Sequence, residues 1–313
     1  MARVAAIDCG TNSIRLLVAD VTKRDDGTVW LRDVHREMRV VRLGQGVDAT
    51  GLLAPEAIAR TRAALLDYAN MLRRKGVEAA RMVATSATRD ASNRDDFFSM
   101  TEEILGAPAE VISGDEEATL SFVGAVADMD PDEGPFLVSD IGGGSTELVL
   151  GSGMEMEAGR SVDVGCVRLT ERCIHTDPPS AAEIDEAAGF VREALHTAFQ
   201  TVPVEKASTW IGVAGTITTL SAIAQDLPEY DSERIHLSRM SLDQVYEVVE
   251  RVLGMTHDER AAIGSMHPGR VDVICGGAIV VRTLAEELAA RASISGLVAS
   301  EHDILDGIAF SLV

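Results

Sequence analysis

Two short stretches of this chain repeat one another, and the repeat narrows the possible folds more than any bulk property does. The first reads Ala6-Ile7-Asp8-Cys9-Gly10-Thr11-Asn12-Ser13-Ile14-Arg15-Leu16-Leu17-Val18. The second reads Val138-Ser139-Asp140-Ile141-Gly142-Gly143-Gly144-Ser145-Thr146-Glu147-Leu148-Val149-Leu150. Aligning Asp8 with Asp140 brings Gly10 onto Gly142, Ser13 onto Ser145 and Leu16–Val18 onto Leu148–Leu150. Each copy predicts a strand, a tight Asp-x-Gly turn and a second strand. A unit repeated in this way within 313 residues predicts two domains of related fold, which is also what the length favours.

The turns carry legible chemistry. Glycine lets the backbone turn sharply and approach a ligand, because no Cβ intervenes. Successive N–H groups at such a turn form a concavity for phosphate oxygens. Ser and Thr hydroxyls add donors, and an Asp at the head of the turn can hold Mg²⁺ directly or through water. A third glycine segment, Trp210 to Thr219 with Gly212 and Gly215, predicts a strand entering a helix whose N-terminal N–H groups suit an anion. A fourth, Ile274-Cys275-Gly276-Gly277-Ala278, is expected to precede a helix over Ile279–Leu288. Between them, Pro55–Lys75 has helical periodicity and a basic last turn before Gly76. Arg81–Thr85 and Ala109–Ser113 predict strands, and Asp115–Ala127 predicts a helix. The alternation makes the class α/β.

Composition excludes several alternatives. Apolar residues are 46% and charged residues 25%, an ordinary globular balance with no long polar tract. No apolar run reaches the roughly 18–20 residues of a membrane span. The apolar start Met1–Ile7 stops at Asp8, so no signal peptide is expected. Cys9, Cys166, Cys173 and Cys275 form no CxxC pair, which predicts buried, reduced thiols in a cytoplasmic protein. The net charge of −22, from 28 Lys+Arg against 50 Asp+Glu, repels nucleic acid and anionic lipid, so neither is expected as a partner. The same charge opposes a polyanionic substrate unless a divalent cation neutralises it or arginines gather at the site.

Several segments, in order, together resemble the exopolyphosphatase / guanosine pentaphosphate phosphatase family over nearly the whole chain. They are Asp8 to Ser13, Ala84-Thr85-Ser86-Ala87-Thr88-Arg89, Ile112 to Ala118, Asp140 to Leu148, Gly165-Cys166-Val167-Arg168-Leu169 and Gly212 to Thr216. The resemblance implies two ribonuclease-H-like domains of the actin-like ATPase superfamily with a cleft between them. The first would span residues 1–124, with a C-terminal helix at about 303–313 packing back on it, and the second residues 125–302. It implies the family's short, two-domain form. It further implies a phosphatase that releases orthophosphate from the ends of inorganic polyphosphate. Guanosine pentaphosphate or tetraphosphate is the alternative substrate, and a weakly catalytic alarmone sensor the non-enzymatic reading. A sugar- or acetate-type kinase is disfavoured by the Glu116-Glu117 segment. A homodimer is the self-assembly considered.

The family's catalytic glutamate matches Glu117, the expected general base; on its own, a Glu pair at a helix start reads as a feature of the helix dipole. Asp140, with Asp8 and Glu147, would hold Mg²⁺ or Mn²⁺. Phosphates would be cradled by Thr11, Asn12 and Ser13, by Gly142, Gly143, Gly144, Ser145 and Thr146, and by Gly215 and Thr216. Arg89 is the expected cationic clamp on the substrate, with Arg15, Arg168 and Arg270 as further candidates. His236, His257 and His267 read as loop or surface residues without a constellation. Two departures bear on substrate choice: Ala214 stands where the family often has Ser, and Leu305 where many members have Arg.

Overall fold

The computed structural model describes residues 2–23 and 29–313; Met1, where the apolar start begins, lies outside them. The chain divides into two compact units, Met1–Gly124 with Ile304–Val313 and Ala125–Asp303.

The first unit is built on a five-stranded sheet of order β3-β2-β1-β4-β5. Its strands are β1 Ala2–Cys9, β2 Ser13–Lys23, β3 Val29–Val40, β4 Ala79–Ala84 and β5 Glu110–Val111. The first three form an antiparallel meander, while β4 and β5 run parallel to β1. Alternate residues of β1 enter two different cores. Ala5, Ile7 and Cys9 join Leu65 and Tyr68 of the helix Pro55–Lys75 on one face. Val4 and Ala6 join Ile304, Leu305 and Ile308 of the C-terminal helix Ile304–Phe310 on the other. Burial on both faces is why β1 and β2 read as near-continuous apolar runs.

The second unit repeats the plan. Its strands are β6 Phe136–Ile141, β7 Thr146–Ser152, β8 Glu155–Val162, β9 Thr209–Val213, β10 Ser238–Ser241 and β11 Gly296–Ala299, in the order β10-β11-β9-β6-β7-β8. Again three strands form an antiparallel meander and two run parallel beside the first. The added β10 pairs antiparallel at the edge.

Three local expectations change. The strand expected over Ala109–Ser113 shortens to Glu110–Val111. Its flanks are drawn off: the Ala109 N–H donates to Thr101 Oγ1, and Ser113 Oγ caps the next helix by accepting from Glu116 N–H. The Gly276-Gly277 pair lies inside the helix Ile274–Arg291 rather than before it. A Cβ on Gly276 would lie 2.5 Å from the Cys166 carbonyl oxygen, and one on Gly277 would lie 2.5 Å from Thr216 Oγ1. These glycines serve close helix packing, not an anion. The histidines also need correction: His236 converges with His302 on Asp128.

Candidate active site

The two Asp-x-Gly turns are superposable in their bonding. In the first, the Gly10 N–H donates to the Ser13 carbonyl at 3.0 Å; in the second, the Gly142 N–H donates to the Ser145 carbonyl at 3.1 Å. Asp8 is registered opposite Arg15, and Asp140 opposite Glu147. At this pair, Arg in one turn and Glu in the other give the two turns different charge.

In the second unit the glycine loop is pinned by its carbonyls. Gly142 O accepts from Cys166 N–H, Gly143 O from Val167 N–H and Arg168 N–H, and Gly144 O from Arg168 Nε, all within 2.8–3.1 Å. The main-chain donors are the first-turn N–H groups of the helix Cys166–Cys173, which have no partner within the helix itself. Each peptide is planar and trans, so N–H and C=O point in opposite directions. The N–H groups of Gly143, Gly144 and Ser145 therefore face away from that helix, and among the described residues no backbone carbonyl accepts from them. Three consecutive amides so oriented are donors of the kind that suits phosphate oxygens.

The close approach depends on Gly165, where a Cβ would lie 2.6 Å from the Gly143 carbonyl carbon and oxygen. Gly165→Ala is expected to cost about 1–3 kcal/mol, as overpacking does, and to weaken phosphate binding. Gly189→Ala, at an open site in the helix Ala181–Phe199, is expected to hold or raise stability. Thermal melts of the two variants beside the parent check both.

Around this loop, Thr146 Oγ1 donates to the Val164 carbonyl at 2.6 Å, and Glu147 Oε1 accepts from Ser161 Oγ at 2.7 Å. Asp140 and Glu147 are 6% and 1% exposed. Two neighbouring carboxylates this buried form a hard-oxygen donor set that suits Mg²⁺ or Mn²⁺. Next to β6, strand β9 delivers the helix Ala214–Ala224. Arg270 Nη1 donates to Gly215 O at 2.7 Å and to Thr219 Oγ1 at 2.8 Å. A Cβ on Gly215 would strike the Arg270 guanidinium at 2.2 Å, so only glycine admits that arrangement. Ala214 has φ +69°, a left-handed conformation that is costly for a residue with a side chain.

In the first unit, Thr11 O accepts from Gly44 N–H, and Asn12 O accepts from Val41 and Arg42 N–H. Gly44 is another required glycine, since its Cβ would lie 2.3 Å from Thr11 Cγ2. Ser86 Oγ and Asn12 Oδ1 are buried with no hydrogen-bond partner among the described residues. Arg15 donates to Asp8 Oδ2 through Nε at 3.0 Å and Nη2 at 2.7 Å. Asp8 thus sits against a compensating cation.

Glu116 and Glu117 occupy the first turn of the helix Gly114–Val126 and diverge. Glu116 turns outward to Arg81 at 2.6 Å, with its side chain 44% exposed. Glu117 turns inward, its side chain 10% exposed, and accepts from Arg89 Nη1 at 2.6 Å. The same nitrogen donates to the Ile112 carbonyl at 3.1 Å. Arg89 therefore lies on the glutamate expected to act as base. Leu305, at the departure near the C-terminus, is buried in the first unit's core. All four cysteines are free and buried. Burial pushes the Cys166 thiol up to about 11, so no thiolate nucleophile stands here.

Sequence reasoning missed Ser161, Gly44, Ser86 and the role of Gly165. The runs Ala84–Arg89, which holds Ser86, and Gly165–Leu169 carried a signal, but without a function for Ser86 or Gly165.

The model of the Ppx/GppA phosphatase family matches residues 20–311. Exopolyphosphatase 2 of Mycobacterium tuberculosis is 60% identical over 320 aligned residues, covering 100% of this chain and 99% of that protein. A solved exopolyphosphatase-like protein superposes with a TM-score of 0.92 at 43% identity, covering 99% and 98% of the two chains. A solved exopolyphosphatase of Cytophaga hutchinsonii gives 0.86 at 26% identity, covering 99% and 97%.

Proposed function

Because this chain belongs to the Ppx/GppA phosphatase family, we propose that it is an exopolyphosphatase, hydrolysing the terminal phosphoanhydride bond of inorganic polyphosphate to release orthophosphate. The observation that carries the reading is the glycine loop whose carbonyls are tied to the Cys166 helix, leaving its amides for phosphate oxygens. Such donors are already oriented and need no rearrangement as charge develops on the transferred phosphoryl group.

Glu117 is assigned as the general base that takes a proton from the attacking water. Arg89 holds its carboxylate in place. Asp140 and Glu147, with Asp8 as a further candidate, would hold Mg²⁺ or Mn²⁺. When bound, the cation supplies charge neutralisation on phosphate oxygens. The phosphate-holding groups are Thr11, Asn12 and Ser13 in the first unit, and Gly142 to Thr146 with Gly215 and Thr216 in the second. Arg15, Arg89, Arg168 and Arg270 all lie against these loops or against Glu117. Arg15 and Arg89 are paired with Asp8 and Glu117, so against a net charge of −22 a polyanionic substrate depends on the divalent cation for neutralisation.

The test is phosphate release by the purified chain with Mg²⁺ or Mn²⁺, using short polyphosphate, long polyphosphate and guanosine pentaphosphate side by side. Faster turnover of polyphosphate is expected, with short to intermediate chains preferred and pyrophosphate poor, because remote phosphates contribute binding. A gel of product lengths should show loss from chain ends. Release of internal fragments would refute end attack. Turnover of guanosine pentaphosphate alone would reassign the substrate.

A further inference from the structure

A second constellation in the Ala125–Asp303 unit is left unused by the proposed chemistry. Asp128 lies just past the helix Gly114–Val126. His236 caps the C-terminus of the short helix Ser232–Ile235, and His302 lies between β11 and the C-terminal helix. Three separate segments thus converge. Asp128 Oδ2 is 2.6 Å from His302 Nδ1 and 3.3 Å from His236 Nε2. The two rings lie 4.4 Å apart, tilted by 39°. One potential ligand atom from each side chain falls within 4.8 Å of the other two. All three side chains keep solvent access, at 47%, 22% and 30% for Asp128, His236 and His302.

We propose that Asp128, His236 and His302 form a binding site for a first-row transition cation of the Zn²⁺ class, separate from the Mg²⁺ or Mn²⁺ needed for hydrolysis. Two imidazoles and one carboxylate favour Zn²⁺, Co²⁺ or Ni²⁺ over the oxygen-seeking Mg²⁺. Tetrahedral bonds of about 2.0–2.2 Å place ligand atoms roughly 3.3 Å apart. The His236–Asp128 separation already has that value, and the shorter His302–Asp128 contact needs to open by less than an ångström. Half-exposed Asp128 can supply that movement. Three protein ligands leave a fourth position for water.

Binding has a stated local cost. His236 Nδ1 accepts from the Glu301 N–H at 3.3 Å, which places the ring proton of the neutral form on Nε2. Coordination through Nε2 moves that proton to Nδ1 and breaks this long, weak hydrogen bond. The Glu301 amide is therefore a reporter of occupancy. The position gives the site a structural role. The chain passes between the units after Gly124 and after Asp303, and Asp128 and His302 lie just inside those two passages. An ion held here ties the two passages together within one unit.

The experiment titrates metal-free, full-length protein with Co²⁺ and follows its visible absorption. One Co²⁺ per chain with intense tetrahedral bands is expected, displaced by Zn²⁺ and not by a large excess of Mg²⁺. His236→Gln/His302→Gln should weaken this binding by more than about 100-fold, beyond what loss of an outer partner does. Mg²⁺-dependent phosphate release by that variant should be unchanged. Asp128→Ala keeps both rings and should also lose the tetrahedral bands, which covers the case in which the double variant unfolds. In nuclear magnetic resonance spectra of the wild type, Zn²⁺ should shift the Glu301 amide. No Co²⁺ bands in the wild type, equal bands in Asp128→Ala, or displacement by Mg²⁺ would each overturn the site.

Discussion

Glu117→Gln is expected to lower turnover by about 10²–10⁴-fold, the range usual for loss of a general base, while the protein stays folded. Glutamine keeps the shape of the side chain and an oxygen that can accept from Arg89, so the Arg89–Ile112 contact survives. What disappears is the basicity. Glu116→Gln is the matched control one residue away. Its partner Arg81 is a surface contact, and such pairs contribute about 0–1 kcal/mol, so turnover should stay within about twofold. Steady-state phosphate release by both variants, with thermal melts, decides the matter. Similar small losses from the two substitutions would remove Glu117 from the chemistry. Arg89→Ala adds a further distinction. Because Arg89 sits on Glu117, its loss should lower turnover on polyphosphate of every length. A loss confined to long chains would instead place Arg89 on the substrate.

Chelation is the second large effect. EDTA should abolish hydrolysis, and Mg²⁺ or Mn²⁺ should restore it. Asp140→Ala should raise the cation concentration needed by at least about 10–100-fold, the cost of losing even an outer partner at a metal site. Without cation, the protein carrying the same substitution should stay folded, as its thermal melt beside the parent will show. Falling activity with retained stability distinguishes a cation-holding carboxylate from a structural one. Full activity in excess chelator would sink the assignment.

Features set by neighbours in sequence were legible before any coordinates. The helix Pro55–Lys75 begins at its proline and ends at Gly76, which adopts φ +67°, as the capping pattern requires. The Asp-x-Gly turns of β1–β2 and β6–β7 close with the same hydrogen bond because each needs only four consecutive residues. The helix carrying Glu117 was equally plain. Which of its two glutamates turns inward was not, since that depends on Arg89 and Ile112 in other segments.

Read from sequence alone, the alternation of strands and helices determined the α/β class, and the repeated motif determined the doubled architecture and the candidate phosphate loops, because glycine turns and apolar periodicity act over a few residues. Tertiary structure alone decided the pinning of the glycine loop by the Cys166 helix, the packing role of Gly276 and Gly277, and the convergence of Asp128, His236 and His302. Each of these brings together groups far apart in the chain. Their contact is set by how helices and strands close on one another, and no local propensity encodes that closure.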